Sequence, residues 1–233
     1  TKTYEKRLEP TADGGVRLHT DGDNETIEAD QLFVFTGRKP NLDGLDLGNT
    51  DLSPGQGWVE PTLQARDAPD VFVVGDANGL EPVLHVAKEQ GAIAARNIRR
   101  YAAGEDLQPY ENVHHRVLFT GLGVYPYVRV GHSERSAREA GIEYVAVDSA
   151  ADNVGVFQTK DVPQGLAKLL VDPSEGTVLG YQGVHYHADV MAKTMQLAVE
   201  MELDVREVPD RAYHPTTPEL LDGLFRAAAA EIN

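Results

Sequence analysis

The stretch His214-Pro-Thr-Thr-Pro-Glu219 sets an imidazole five positions ahead of a carboxylate, with two prolines between them that fix backbone φ. A histidine titrates near neutral pH. A carboxylate that holds one ring nitrogen protonated leaves the other as a general base. The same residues also read as a helix start. Thr217 is then the N-cap, Pro218 the first helical residue and Glu219 a first-turn acid at the positive end of the dipole. Leu220-Leu221 opens the apolar face. A base needs an acid to deprotonate. The chain has no cysteine, so disulfides, thiolate metal sites and cysteine nucleophiles are excluded within these residues.

Other residues invite chemistry. Asp70-Val-Phe-Val-Val-Gly-Asp76 reads as a short buried strand ending in Gly-Asp, a usual place for a site in α/β proteins. Glu81-Pro82 opens a helix running to Ile98, whose first N–H groups could face an anion or a carbonyl. Gln31-Leu-Phe-Val-Phe35 is a continuous apolar run, read as a buried strand that ends at Thr36-Gly-Arg-Lys-Pro-Asn41. Gly37 there permits a sharp turn or a close approach to a ligand. His185 and His187 alternate as metal ligands on a strand could, but no clear third ligand accompanies them, and the expected metal set is none. Gly121-Leu-Gly123 lacks the strand–turn–helix context of a dinucleotide fingerprint, because Pro126 holds the third glycine position. His114-His115 sits in an expected linker, Gly104 to Asn112 and just beyond, and is read as solvent-exposed.

These residues must be positioned by a folded scaffold. The chain has 233 residues, 41% hydrophobic and 25% charged, which is globular composition with length for one large or two ordinary domains. The formal net charge of −16 disfavours nucleic-acid binding and fits either an ordinary acidic protein or a salt-adapted surface. No apolar run approaches the ~20 residues of a membrane span, and no signal-peptide pattern opens the chain, so no membrane and a cytoplasmic location are expected.

Residues 1–36 predict a β-meander, with turns at Ala12–Gly15 and Asp21–Asn24. Residues 42–70 are polar loop. Strands are expected over Arg116–Phe119, Tyr127–Val130, Tyr144–Val147, Gly165–Val171 and Thr177–Val184. Ser133 caps a short helix, and Ala188–Met201 is a long one with Val190, Met191, Thr194, Leu197, Ala198 and Met201 on one face. Strands grouped with flanking helices predict an α+β layer domain.

Three segments then align in a fixed order. Phe35–Asn41 resembles the close of the NAD(P) domain of the flavoprotein pyridine nucleotide-disulfide oxidoreductases, Ala68–Asp76 resembles their second flavin motif, and His214–Glu219 their histidine–glutamate signature. The resemblance is nearest to the dihydrolipoamide dehydrogenase branch and covers only the C-terminal half of such an enzyme. Mercuric and glutathione reductases share the scaffold. The resemblance implies α/β and α+β architecture: a remnant of the NAD(P)-binding domain over 1–41, part of the FAD-binding domain over 42–112, and an interface domain with an antiparallel sheet and flanking helices over 113–233, through which a homodimer forms. It implies FAD and NAD or NADP as cofactors and a disulfide substrate such as lipoamide. Asp76 would bond the ribityl chain, Pro82, Val83, Leu84 and His85 would lie by the flavin ring, and Gly37 would lie by the nicotinamide nucleotide. His214, oriented by Glu219 and followed by a cis bond to Pro215, would serve as the acid/base for a redox disulfide of the other subunit. The cysteine pair and both glycine-rich fingerprints would lie upstream, so this piece is expected to be inactive alone. A dimerisation module without cofactor is the competing reading.

Overall fold

The computed structural model describes residues 5–20, 26–35, 37, 39–111, 116–118 and 123–232, with the side chains at 5, 6, 20 and 116 excepted. The turn expected at Asp21–Asn24, the pair His114-His115, Thr36, Arg38 and the stretch Phe119 to Leu122 lie outside the described residues. Two compact units divide the chain, Thr1–Asn49 and Thr50–Asn233.

In the first unit, β1 (Glu5–Pro10), β2 (Val16–Thr20) and β3 (Thr26–Ala29) form an antiparallel meander in that order. Gly14 takes φ +90°, which closes the Thr11–Gly15 turn, with the Thr11 N–H donating to Gly15 O at 3.0 Å. The strand expected over Gln31–Phe35 is a correction. Those residues join no ladder, and Phe33 and Phe35 are 72% and 90% exposed. A buried strand needs neighbours on both edges and cover on both faces, and the run has neither among the described residues.

The second unit opens with the hairpin of β4 (Gln64–Ala65) and β5 (Ala68–Phe72). The buried strand expected over Asp70–Asp76 therefore sits earlier, because its partner is only two residues long. The chain leaves the ladder at Phe72, and Gly75–Asn78 winds as a 3₁₀ turn. Helix α1 (Leu84–Ala103) starts two residues later than Pro82 and continues past Ile98, until Gly104 ends it at φ +68°.

A five-stranded antiparallel sheet follows. Its strands are β6 (Arg116–Leu118), β7 (Tyr127–Gly131), β8 (Val145–Ala150), β9 (Gly165–Val171) and β10 (Val178–His185), in the order β6-β7-β10-β9-β8. Helix α2 (Glu134–Ala140) follows β7, and Ser133 caps it by accepting from the Ser136 N–H. Helix α3 (Gly155–Thr159) lies between β8 and β9. Helix α4 (Ala188–Glu200) packs on β7 and β10, and α5 (Glu219–Glu231) on β8 and β9. The core between sheet and helices holds Tyr181, Phe157, Leu169, Met195, Leu220 and Leu224, all essentially without solvent contact.

The face expected for α4 is partly wrong. Ala188, Met191, Met195 and Ala198 are buried, while Val190 and Met201 are 64% and 72% exposed. The spacing 188, 191, 195, 198 is the helical stripe that meets the sheet. Helix α5 also starts later than expected: Pro218 is its N-cap, and Thr217 caps nothing.

Candidate active site

The loop that precedes α5 carries His214. Its peptide bond to Pro215 is cis. His214 Nδ1 lies 3.0 Å from Glu219 Oε2. A carboxylate only accepts, so Nδ1 carries the proton and Nε2 is left with a lone pair. The imidazole is 80% exposed. The other carboxylate oxygen, Oε1, accepts the Thr216 N–H at 2.8 Å. Both bonds favour the charged acid. The hydrogen bond from His214 is the larger cause and the Thr216 amide the next, and together they hold Glu219 below the ordinary carboxylate range. An ionised, doubly anchored carboxylate thus fixes the tautomer and ring plane of an exposed histidine. That arrangement can accept and return a proton at Nε2.

Thr217, expected as a cap, turns instead toward His187, whose Nδ1 lies 3.3 Å from the threonine Oγ1. His187 sits at φ +66° and stacks on Tyr186 at 3.8 Å between ring centroids. His185 is buried, its Nε2 2.7 Å from Tyr181 Oη and its Nδ1 2.9 Å from Tyr186 O. The two histidines are therefore committed to different partners. Among the described residues, no cluster of three or more His, Asp or Glu side chains could hold a metal.

A second group of expected residues surrounds the start of α1. Asp76 is exposed on the 3₁₀ turn. The turn is tied to the helix by Gln90, whose Oε1 accepts both the Gly75 N–H at 2.7 Å and Asn78 Nδ2 at 2.8 Å. Gly75 adopts φ +68°, and a Cβ there would lie 3.0 Å from Ala87 Cβ, so glycine lets the turn rest on the helix. Sequence reasoning missed Gln90. Its signal was a polar residue in register with Val86, Ala94 and Asn97 on the buried face of α1. Pro82 and Leu84 are exposed, Leu84 at 78%, beside first-turn N–H groups that have no carbonyl four residues earlier. Val83 and His85 are half-buried. An open carboxylate on a fixed turn and an exposed apolar helix start fit the ribityl chain and ring of a flavin.

Burial raises the Glu89 carboxyl, and Glu200 of α4 raises it further, while His85 opposes both. Tyr110 is pushed up to about 12 by burial first, then by Glu89 and Glu81. Gly37, in the first unit, is exposed at φ +123° with open space where a Cβ would stand.

Residues 116–224 match the pyridine nucleotide-disulphide oxidoreductase dimerisation domain, and residues 2–91 match the pyridine nucleotide-disulphide oxidoreductase family. The chain is 28% identical over 224 residues to dihydrolipoyl dehydrogenase of Bacillus subtilis, covering 94% of this chain and 46% of that protein. It is 30% identical over 223 residues to dihydrolipoyl dehydrogenase 2 of Haloarcula marismortui, covering 94% and 45%. The chain thus spans about half the length of these relatives. In structure it is similar to LpdA of Mycobacterium tuberculosis, with TM-score 0.78 and 21% identity over 97% of this chain and 48% of that one. It is also similar to the HOCl-induced flavoprotein disulfide reductase RclA of Escherichia coli, with TM-score 0.77 and 20% identity over 96% and 50%. Members of this family use FAD and NAD(P). With both halves of its sequence matched, the chain belongs to the pyridine nucleotide-disulphide oxidoreductases and carries their dimerisation domain.

Proposed function

We propose that the chain is the C-terminal portion of an FAD- and NAD(P)-dependent disulfide oxidoreductase that acts on dihydrolipoamide or a similar dithiol. Its parts are a remnant of the NAD(P) domain over 1–41, part of the flavin domain over 42–112 and a dimerisation domain over 113–233. The observation that carries the reading is the exposed His214, held at 3.0 Å by an ionised Glu219. His214 Nε2 takes the proton of a substrate or active-site thiol, giving thiolate and imidazolium, and returns it in the reverse direction. Glu219 stabilises the imidazolium and prevents ring rotation. When bound, FAD supplies the two-electron relay between nicotinamide and disulfide. Asp76 would hold its ribityl hydroxyls, Pro82 to His85 would pack against its ring, and Gly37 would admit the nicotinamide nucleotide.

By the family resemblance, the thiol that His214 serves would lie in the N-terminal half of a second subunit of the complete oxidoreductase; these 233 residues contain no cysteine. On this reading these 233 residues alone would be inactive, and the complete protein would be a cytoplasmic homodimer. The chain's charge of −16 suits a salt-rich solvent, in which case added KCl raises its melting temperature.

His214→Gln in the complete oxidoreductase tests the reading. Loss of a positioned base costs about 10²–10⁴-fold in disulfide-linked turnover. Flavin content and NADH oxidation by ferricyanide, which needs no thiol proton, stay as in the parent. Undiminished disulfide turnover refutes the assignment. A second reading, a dimerisation module without cofactor, is favoured by the match of residues 116–224 to the dimerisation domain. A dimer of the isolated chain without flavin supports it, and a monomer overturns it.

A further inference from the structure

We propose that Asp222 is a positioning residue that latches the His214 loop onto α5 and so sets the direction of the imidazole. Glu219, Asp222 and Arg226 follow one another at i, i+3 and i+7, which is one stripe of the helix. The neighbouring positions Leu220, Leu221, Leu224, Phe225 and Ala228 are buried against the sheet, so the stripe is held rigidly by the core. The stripe reads alternate residues of the loop. Arg226 Nη1 donates to Asp210. The Ala212 N–H donates to Asp222 Oδ2 at 2.7 Å. His214 and the Thr216 N–H both bond to Glu219.

Two carboxylates of α5 grip the loop backbone, Asp222 at the Ala212 N–H before His214 and Glu219 at the Thr216 N–H after it. The loop forms no helix or strand from Val208 to Thr216, and Tyr213 and His214 both point to solvent. The Arg226–Asp210 pair is exposed on both sides and contributes little. Asp222 is half-buried and grips the backbone itself, two residues before His214. Glu219 fixes one ring nitrogen and, through the Thr216 N–H, the chain after His214. Asp222 fixes the chain before it, and anchors on both sides define a direction. Asp222 touches neither the imidazole nor any reacting atom, so its effect passes through the backbone.

The catalytic consequence rests on the acid/base reading of His214, while the latch does not. In the 233-residue chain, nitrogen–proton correlation spectra report the His214 tautomer, and amide exchange reports the Ala212 N–H. Asp222→Ala is expected to speed Ala212 exchange about ten-fold or more, which is ~1.4 kcal/mol of lost protection, and to mix the two tautomers. Asp222→Asn keeps an oxygen acceptor and retains both signals. In the complete oxidoreductase, Asp222→Ala lowers kcat for the dithiol about ten-fold, with ferricyanide reduction and the KM for NADH unchanged, because small misplacements of a catalytic group carry costs of this order. Asp222→Asn restores kcat. Parental spectra in Asp222→Ala overturn the latch, as does an Asp222→Asn variant as defective as the alanine. Altered spectra combined with undiminished turnover in His214→Gln leave the latch standing and remove the proposed function instead.

Discussion

Replacing Tyr181 by phenylalanine removes one oxygen from the middle of the five-stranded domain's core. The phenol lies 2.7 Å from His185 Nε2, and His185 Nδ1 lies 2.9 Å from the Tyr186 carbonyl. A carbonyl only accepts, so Nδ1 carries the proton, Nε2 is the acceptor and the tyrosine hydroxyl donates. Both side chains have no exposed surface. They share one face of β10 with Gly183 between them, where a Cβ would stand 2.7 Å from Tyr181 Oη and 2.9 Å from His185 Nε2. The glycine is what allows the two rings to meet. Phenylalanine leaves Nε2 buried without a donor, and water cannot reach it. The cost of such an orphaned acceptor is ~1–3 kcal/mol. At ~2–4 °C per kcal/mol for a domain of this size, a middle value lowers Tm by about 6 °C. Calorimetry at pH 7.5 measures it. A loss of less than about 1 °C refutes the buried-bond argument. Adding His185→Leu to Tyr181→Phe removes both partners and recovers part of the loss.

The same pair makes stability depend on pH. Burial, the largest cause, depresses the His185 pKa, and the charge on His187 adds to this, while the Tyr186 carbonyl and Asp189 oppose it. The unfolded chain therefore takes up the proton first. The contribution is fully present above the unfolded value near ~6.5 and is lost as pH falls toward the folded value. The His185→Leu chain should show a flatter dependence between those limits.

Other consequences can be measured separately. Gly180→Ala would drive a Cβ to 1.9 Å from the His132 carbonyl oxygen, backbone against backbone, so urea unfolding should show a loss of about 3 kcal/mol or more. Gly223→Ala meets nothing within 4 Å inside α5, so the same experiment should show a gain of roughly 0.5–1 kcal/mol. Glu219 should titrate below its ordinary value in carboxyl NMR and move back up in His214→Gln; the Thr216 and His214 bonds are present above that range and lost as pH falls through the lowered value. Glu200→Gln removes the second cause of the raised Glu89 carboxyl, so in carboxyl NMR Glu89 should titrate closer to its ordinary value, with burial still holding it up.

Local chemistry was the legible part of this fold. The Asp172–Gly176 turn is an example: Asp172 Oδ1 accepts from the Ser174 and Glu175 N–H groups and Gly176 takes φ +75°, all within five residues. The Ser133 cap is another. Non-local partners were not legible. Thr217 looks like a cap until His187, thirty residues earlier, takes its hydroxyl. Val190 and Met201 are as apolar as Met191, and periodicity alone does not say which stripe meets the sheet. The run Gln31–Phe35 has the composition of a strand, but a ladder is a property of neighbours. At the site, His214 and Glu219 were legible because one short segment contains both. Gln90 and Asp222 were not, because each acts on a backbone N–H ten or more residues away.

The brevity of that segment bears on how the protein is made. His214 and Glu219 are five residues apart, and the bonds that tie the loop to α5 all fall between Asp210 and Arg226 among the described residues. Contacts of such short sequence separation close quickly and cost little chain entropy. The histidine and its carboxylate can therefore be in register as soon as α5 has docked, before any second chain arrives. On the proposed reading, assembly would then have only to deliver a thiol to a base that is already aimed.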